Sequence, residues 1–178
     1  MMFITDRTQT DVNRAKAIIA KLQSGKALTD AEQAEYDAGL KGCYNYTDIN
    51  RVRAAATTLA ASLNAEGYKV VAVLPVLAGE SPDALEDRDF TEADVIYKAQ
   101  WENYINNVRA IRDAFYTFED TGPLPQPDER INYAYANNIE KVLEDVEALL
   151  WFMTQSYRRC GALTAGNNAV TLPLRGSV

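Results

Sequence analysis

Apolar residues recur at helical spacing along much of this chain, most regularly in NIEKVLEDVEALLWFM, residues 138–153. Ile139, Val142, Val146, Leu149 and Met153 follow one another at alternating steps of three and four, and Leu143 and Leu150 widen that line into a stripe. Glu140, Lys141, Glu144, Asp145 and Glu147 fall on the opposite face, so the pattern predicts an amphipathic helix with one broad apolar side. On the polar face it predicts a repulsive Glu140–Glu144 pair and a favourable Lys141–Asp145 pair, each worth a few tenths of a kcal/mol. Burying a large apolar side chain is worth about 1.5–3 kcal/mol, so packing dominates and the helix requires partners.

The partners are legible upstream. Val12, Ala15, Ile19 and Leu22 share a face after Thr10 and Asp11, and Gly25 is a natural stop. Thr29 and Glu32 have capping-box spacing and open a short helix that Gly39 weakens or ends, so residues 10–40 read as a helical hairpin. Thr47 or Asp48 can cap the next helix, in which Ile49, Val52, Ala56, Leu59 and Leu63 keep the period until Gly67. Alanines between Ala54 and Ala61 leave little bulk and allow a close neighbour.

YKVVAVLPVL (68–77) is β-branched, but Pro75 argues against a central strand and leaves an extended connector with at most one edge pairing. GESPDALEDRD is an acidic loop. A helix is expected to start at Thr91 and Asp94 and to carry Trp101, Tyr104, Ile105, Val108, Ile111, Phe115 and Phe118 on one stripe as far as Asp120. The Pro-rich TGPLPQPDER then links it to the helix of residues 138–160, which predicts an antiparallel pair. Helix signals stop after Gly161; Gly166, Asn167, Asn168 and Pro173 predict an irregular tail.

The expected fold is all-α, an antiparallel helical bundle with an N-terminal helical hairpin, an extended connector and an irregular C-terminal tail. Its parts are an N-terminal helical region (1–67), an extended acidic connector (68–90), a helical hairpin core (91–163) and a C-terminal arm (164–178), together one compact unit.

Charge narrows the function. Eighteen Lys and Arg against 25 Asp and Glu give a net charge of −7, which disfavours nucleic acid and anionic membrane surfaces as partners. No apolar run approaches the roughly 20 residues of a membrane span, and Asp6 and Arg7 interrupt any leader-like start, so a cytosolic origin is expected. Cys43 and Cys160 are expected as free thiols packed as small hydrophobes, a disulfide requiring backbones within about 7 Å. The chain has no histidine, the usual general base and commonest metal ligand, and no Gly-rich loop suited to phosphate. No catalytic residues, cofactor or metal are expected.

Glu80, Asp83, Glu86, Asp87, Asp89, Glu92 and Asp94 lack the glycine and ligand spacing of a calcium loop and read as a solvated connector. Tyr44, Tyr46, Tyr133 and Tyr135 flank helix starts, either covering helix ends or forming a carbohydrate or peptide platform. Arg158 and Arg159 complement the last turn of the long helix. In the tail, Val170, Leu172 and Leu174 alternate with Thr171, Pro173 and Arg175, which suits an extended docking arm. It lies either on its own body or in an apolar groove of a neighbouring subunit.

FITDRTQTDVNRAKAI (3–18), KGCYNYTDINRV (41–52), LNAEGY (63–68), WENYINNVRAIRDAF (101–115) and YAYANNIEKVLEDVEALL (133–150) follow in the order of a known group. The chain resembles small helical proteins encoded in the tail-structure regions of bacteriophages and prophages of Gram-positive gut bacteria. It departs from their pattern at EDRDF, where they carry TDW, and at residues 160–178, where they end in YSGE. The resemblance implies a non-enzymatic virion component of the tail, baseplate or receptor-binding apparatus. Such a component acts by assembly with other virion proteins or further copies of itself, in a particle assembled in the host cytoplasm. The alternative is a carbohydrate- or peptide-binding module built on the tyrosine-rich helix ends.

Overall fold

The computed structural model describes residues 2–71, 73–81 and 83–169, with side chains as far as Ser156. The fold is mainly helical, as the periodicity predicts. Its elements are α1 (Gln9–Gln23), α2 (Asp30–Asp37), α3 (Tyr46–Ala65), β1 (Ala78–Gly79), β2 (Leu85–Glu86), α4 (Lys98–Ala114) and α5 (Tyr133–Ala169).

Caps set most helix ends. Thr8 and Asp11 bracket the start of α1, Thr29 and Glu32 that of α2, and Asn45 and Asp48 that of α3, each exchanging side-chain and backbone hydrogen bonds. Asn45, rather than Thr47 or Asp48, is therefore the cap of α3. The chain leaves α1 through Gly25 at φ 68, a left-handed conformation that a residue without Cβ adopts at little cost. Arg14 meets Glu32 and Glu35, and Lys21 meets Glu32 at 2.5 Å, tying α1 to α2. Ala15, Ile18 and Leu40 form a small cluster beneath them, so the buried face is centred on Ile18 while Leu22 stays 40% exposed.

The main core joins α3, α4 and α5, which pack on one another. Ala55, Ala56 and Ala60 are buried in it, which permits the close approach that the alanine-rich stretch predicts. The expected antiparallel pairing of the last two long helices does not form. At one end Tyr44, just before α3, bonds through its hydroxyl to Tyr104 in the second turn of α4, and Asp48 shares Arg7 with Glu140 of α5. At the other end Tyr68, just past α3, stacks edge-on against Phe115 with centroids 4.7 Å apart and reaches Met153 Sδ at 3.5 Å. The three helices thus run in the same sense.

The connections make this possible. The link after α4 is long enough to return along α5: the Phe118 N–H meets Asp145, and the Pro123 carbonyl meets Asn138. The connector after α3 returns along α4 in the same way, Leu74 bonding to Asn107 and the Leu77 carbonyl to Gln100. Pro75 sits within this return segment, which stays irregular until β1 and β2 pair as a two-residue antiparallel ladder.

Several boundaries differ from the periodicity. Thr91 and Asp94 form a separate turn, with Asp94 fixed by Arg88, so α4 begins only at Lys98. Phe115 is already extended at the end of α4, which takes Phe118 off the stripe. Helix α5 continues through Gly161 and Gly166 to Ala169, where an irregular tail is expected from Thr164. Extending an existing helix costs less than nucleating one, and a glycine weakens it by only about 1 kcal/mol.

Candidate functional site

Charged side chains draw the N-terminal segment, α3 and α5 together. Arg7 Nη2 donates to Asp48 Oδ1 and to Glu140 Oε1, each at 2.8 Å, and the side chains of these residues are no more than 4% exposed. Arg51 donates to both Glu140 oxygens at 2.9 and 2.8 Å, and also to Asp48. The Ile4 N–H donates to Glu140 Oε2 at 2.8 Å. Asn137 takes the Arg7 N–H and donates back to its carbonyl. Two guanidinium groups balance two carboxylates, the condition under which charges tolerate burial. Tyr44 and Tyr104 lie beside the network with their hydroxyls bonded to each other. Burial pushes both phenols above their ordinary range, so they stay neutral.

Tyr44 also forms part of the wall of two cavities. The first, about 740 Å³, opens between the end of α2, the start of α3 and the 90–96 segment. Tyr36, Tyr46, Phe90 and Ile96 give it aromatic and apolar surface, and Asp37, Glu92 and Asp94 make it acidic. Asp94 is held well below the usual carboxylate range by Arg88 and by Thr91, so it is ionised and a poor proton donor. Cys43 lines the same cavity as a free thiol, and burial followed by the charge of Asp48 raises its pKa, which favours the weakly nucleophilic thiol form.

The second cavity, about 580 Å³, lies where α1 meets the start of α5. Arg7, Gln9, Val12, Lys16, Gly42, Tyr44, Asn132 and Tyr133 contribute to its wall. Gly42 packs so closely on α1 that a Cβ there would fall 2.1 Å from the Asp11 carbonyl oxygen, so this part of the wall admits no larger residue.

The structure divides the tyrosines singled out in the sequence. Tyr46 faces the acidic cavity and Tyr133 the basic one, both just over a third exposed. Tyr44 borders both. Tyr135 lies outside these walls near Glu129, whose charge raises its pKa. The acidic loop is drawn into ion pairs, Asp89 with Arg53 and both Glu86 and Asp94 with Arg88. Among the described residues no group of three acidic or thiol side chains is placed to hold a metal ion. The proposed arm residues Val170, Leu172 and Leu174, and the side chains of Arg158, Arg159 and Cys160, lie outside what the structure describes.

Two features escape a reading by periodicity. Glu140 and Asp145 belong to the buried surface of α5, both 0% exposed, and not to a solvent face. Lys141 does meet Asp145 at 2.8 Å, but the Phe118 N–H and the Thr121 hydroxyl also satisfy that carboxylate, making it an anchor for the returning link. Arg7, treated in the sequence only as an interruption of the N-terminal stretch, is the other miss. Its recoverable signal is the adjacency of Glu140 to Ile139, at the edge of the stripe. No protein-family model, curated protein or solved structure matches the chain.

Proposed function

We propose that this protein is a non-enzymatic structural component of a bacteriophage virion, of the tail, baseplate or receptor-binding apparatus, working through protein–protein assembly. On this reading α1 and α2 form a helical hairpin docked on a bundle of α3, α4 and α5. The ordered resemblance of five stretches to phage tail-region proteins supports the virion assignment.

The observation that carries the assembly role is the apolar end of the bundle. Tyr68, Phe115 and Met153 meet there, and the residues beside them turn outward: Val71 and Tyr116 are each 76% exposed, Trp151 58% and Phe152 54%. Trp151 and Phe152 touch edge-on at 5.1 Å, and large exposed aromatics in such a cluster are the side chains that anchor protein interfaces. The partners are other virion proteins or a second copy of the chain. None of the described helices is long and apolar enough to cross a membrane.

Incorporation of Trp151→Ser/Phe152→Ser into particles tests this. The double variant is expected to keep the wild-type melting temperature within the few tenths of a kcal/mol typical of surface changes, and to be lost from purified virions. Absence of the wild-type protein from purified virions, or full incorporation of the variant, overturns the reading.

The acidic cavity favours a second reading, a carbohydrate- or peptide-binding module. Its tyrosine rings and carboxylates supply the stacking faces and hydrogen-bond acceptors that a sugar requires. Glycan-array binding by the isolated protein that Tyr46→Ala removes would support it, and a blank array would exclude the carbohydrate arm.

A further inference from the structure

We propose that the outward face of α5 around Trp151 binds a second copy of this chain, the two helices crossing antiparallel at their tryptophans in a two-fold dimer. The inference rests on the assembly role given above to the apolar end, and it commits that surface to one partner. It does not depend on the virion assignment.

The centre of the face is apolar. Trp151 is 58% exposed and Phe152, in edge-on contact with it, 54%. Ile139, Val142 and Val146 are fully buried on the other side of the helix, so Trp151 stands opposite the core.

Charge is arranged about that centre. At 3.6 residues and 5.4 Å per turn, a residue seven positions away lies on the same face, about 10 Å along the axis. Seven before Trp151 is Glu144, its side chain 42% exposed; seven after it is Arg158. The wider pattern agrees. From Glu144 to the end of α5 the acidic residues, Glu144, Asp145 and Glu147, all precede Trp151, and the basic ones, Arg158 and Arg159, all follow it. Asp145 is buried and takes Lys141 at 2.8 Å, while Glu144 stands 3.5 Å from the same lysine and keeps its exposure. Because α5 runs on to Ala169, the two arginines are also too far from its end to complement the last turn.

A face with an acid and a base at equal distances on either side of an apolar centre is complementary to itself under a two-fold rotation. Antiparallel crossing at Trp151 brings Arg158 of each copy level with Glu144 of the other. A parallel pair would instead set like charges against each other, so charge selects the orientation. This is the isologous interface of the commonest homodimers, here with a tryptophan as its anchor. One helix face is small for a stable interface, so the expected Kd is on the order of 10–100 μM.

Sedimentation equilibrium of the full chain, from about 1 μM to about 1 mM, tests the proposal. A reversible monomer–dimer equilibrium is expected. Trp151→Ser, Glu144→Arg and Arg158→Glu should each weaken it about tenfold or more. Their melting temperatures should match the wild type at concentrations where the latter is monomeric, because all three positions face away from the core. The double variant Glu144→Arg/Arg158→Glu exchanges the two charges and is expected to recover the wild-type affinity within about threefold. A chain that stays monomeric to about 1 mM overturns the proposal and leaves the apolar end to a different protein, a result that does not touch the virion assignment. A dimer indifferent to Trp151→Ser or to the single charge reversals overturns it as well. So does a charge-exchanged variant as weak as the single ones, since only the antiparallel register restores both pairs.

Discussion

The two halves of α5 invert the usual relation between polarity and place. Its first half hides Glu140 and Asp145 completely; a few residues on, Trp151 and Phe152 stand more than half exposed. The difference lies in what surrounds each half. Arg7 and Arg51 converge on Glu140, and Lys141 with two donors from the returning link converges on Asp145, so each carboxylate exchanges water for a set of donors. Around Met153, level with Tyr68 and Phe115, the neighbouring helices have ended, α3 at Ala65 and α4 at Ala114, and the aromatic pair just before it is left more than half exposed. A side chain is buried by the company it meets, and its own polarity only sets the terms.

Glu140 should break this comparison most sharply. Glu140→Ala leaves the buried Arg7 and the part-exposed Arg51 to share Asp48 alone, and the expected loss is about 3–5 kcal/mol, read by chemical denaturation. Since small domains hold about 5–15 kcal/mol in all, the variant is expected to unfold well below the wild type. A loss under about 1 kcal/mol would mean that the carboxylate is solvated. Tyr104→Phe makes a milder cut, stranding the buried Tyr44 hydroxyl at an expected cost of about 1–3 kcal/mol. A neutral result there would show that water replaces the lost hydroxyl.

Acid titration sharpens the contrast between these buried charges and the ion pairs nearer the surface. Lys21, followed by the Thr29 N–H, lowers the Glu32 carboxyl from an ordinary 4.5 to about 2. A depressed folded-state pKa stabilises fully above about pH 4.5, and that contribution disappears as pH falls through about 2. The melting-temperature gap between wild type and Glu32→Gln is therefore expected to close over that interval. A gap independent of pH would remove Glu32 from the linkage. The smallest stability effect is expected from Trp151→Ser/Phe152→Ser, whose consequence should be seen in assembly alone.

How legible all this is from the sequence depends on the range of the interaction. The Thr29–Glu32 box, the Gly25 stop and the stripe from Ile139 to Val146 are local, within a few residues, and periodicity reads them correctly. The sense of packing between α4 and α5 is not local. A Pro-rich link suggests a tight reversal, whereas this one runs the length of its neighbour, anchored by Asp145 and Asn138, and helical spacing carries no trace of such anchors. The cavities are less legible still. Lys16, Gly42 and Tyr133 carry no shared motif and become neighbours only when α1 meets the start of α5.

The hydrogen bonds from Ile4 and Arg7 to Glu140 span 136 and 133 residues of chain. Ribosomes add about 5–20 residues per second, so a nascent chain holds Arg7 for on the order of ten seconds before its acceptor exists. During that interval the guanidinium has no buried place to occupy, and the N-terminal segment stays outside any finished unit. Closing so long a loop is among the slowest contacts such a chain makes, and its entropy must be lost before any of these bonds repays it. The segment around Arg7 is thus expected to lock later than much of the chain that follows it, and a chain stalled short of α5 to leave that segment open to proteases.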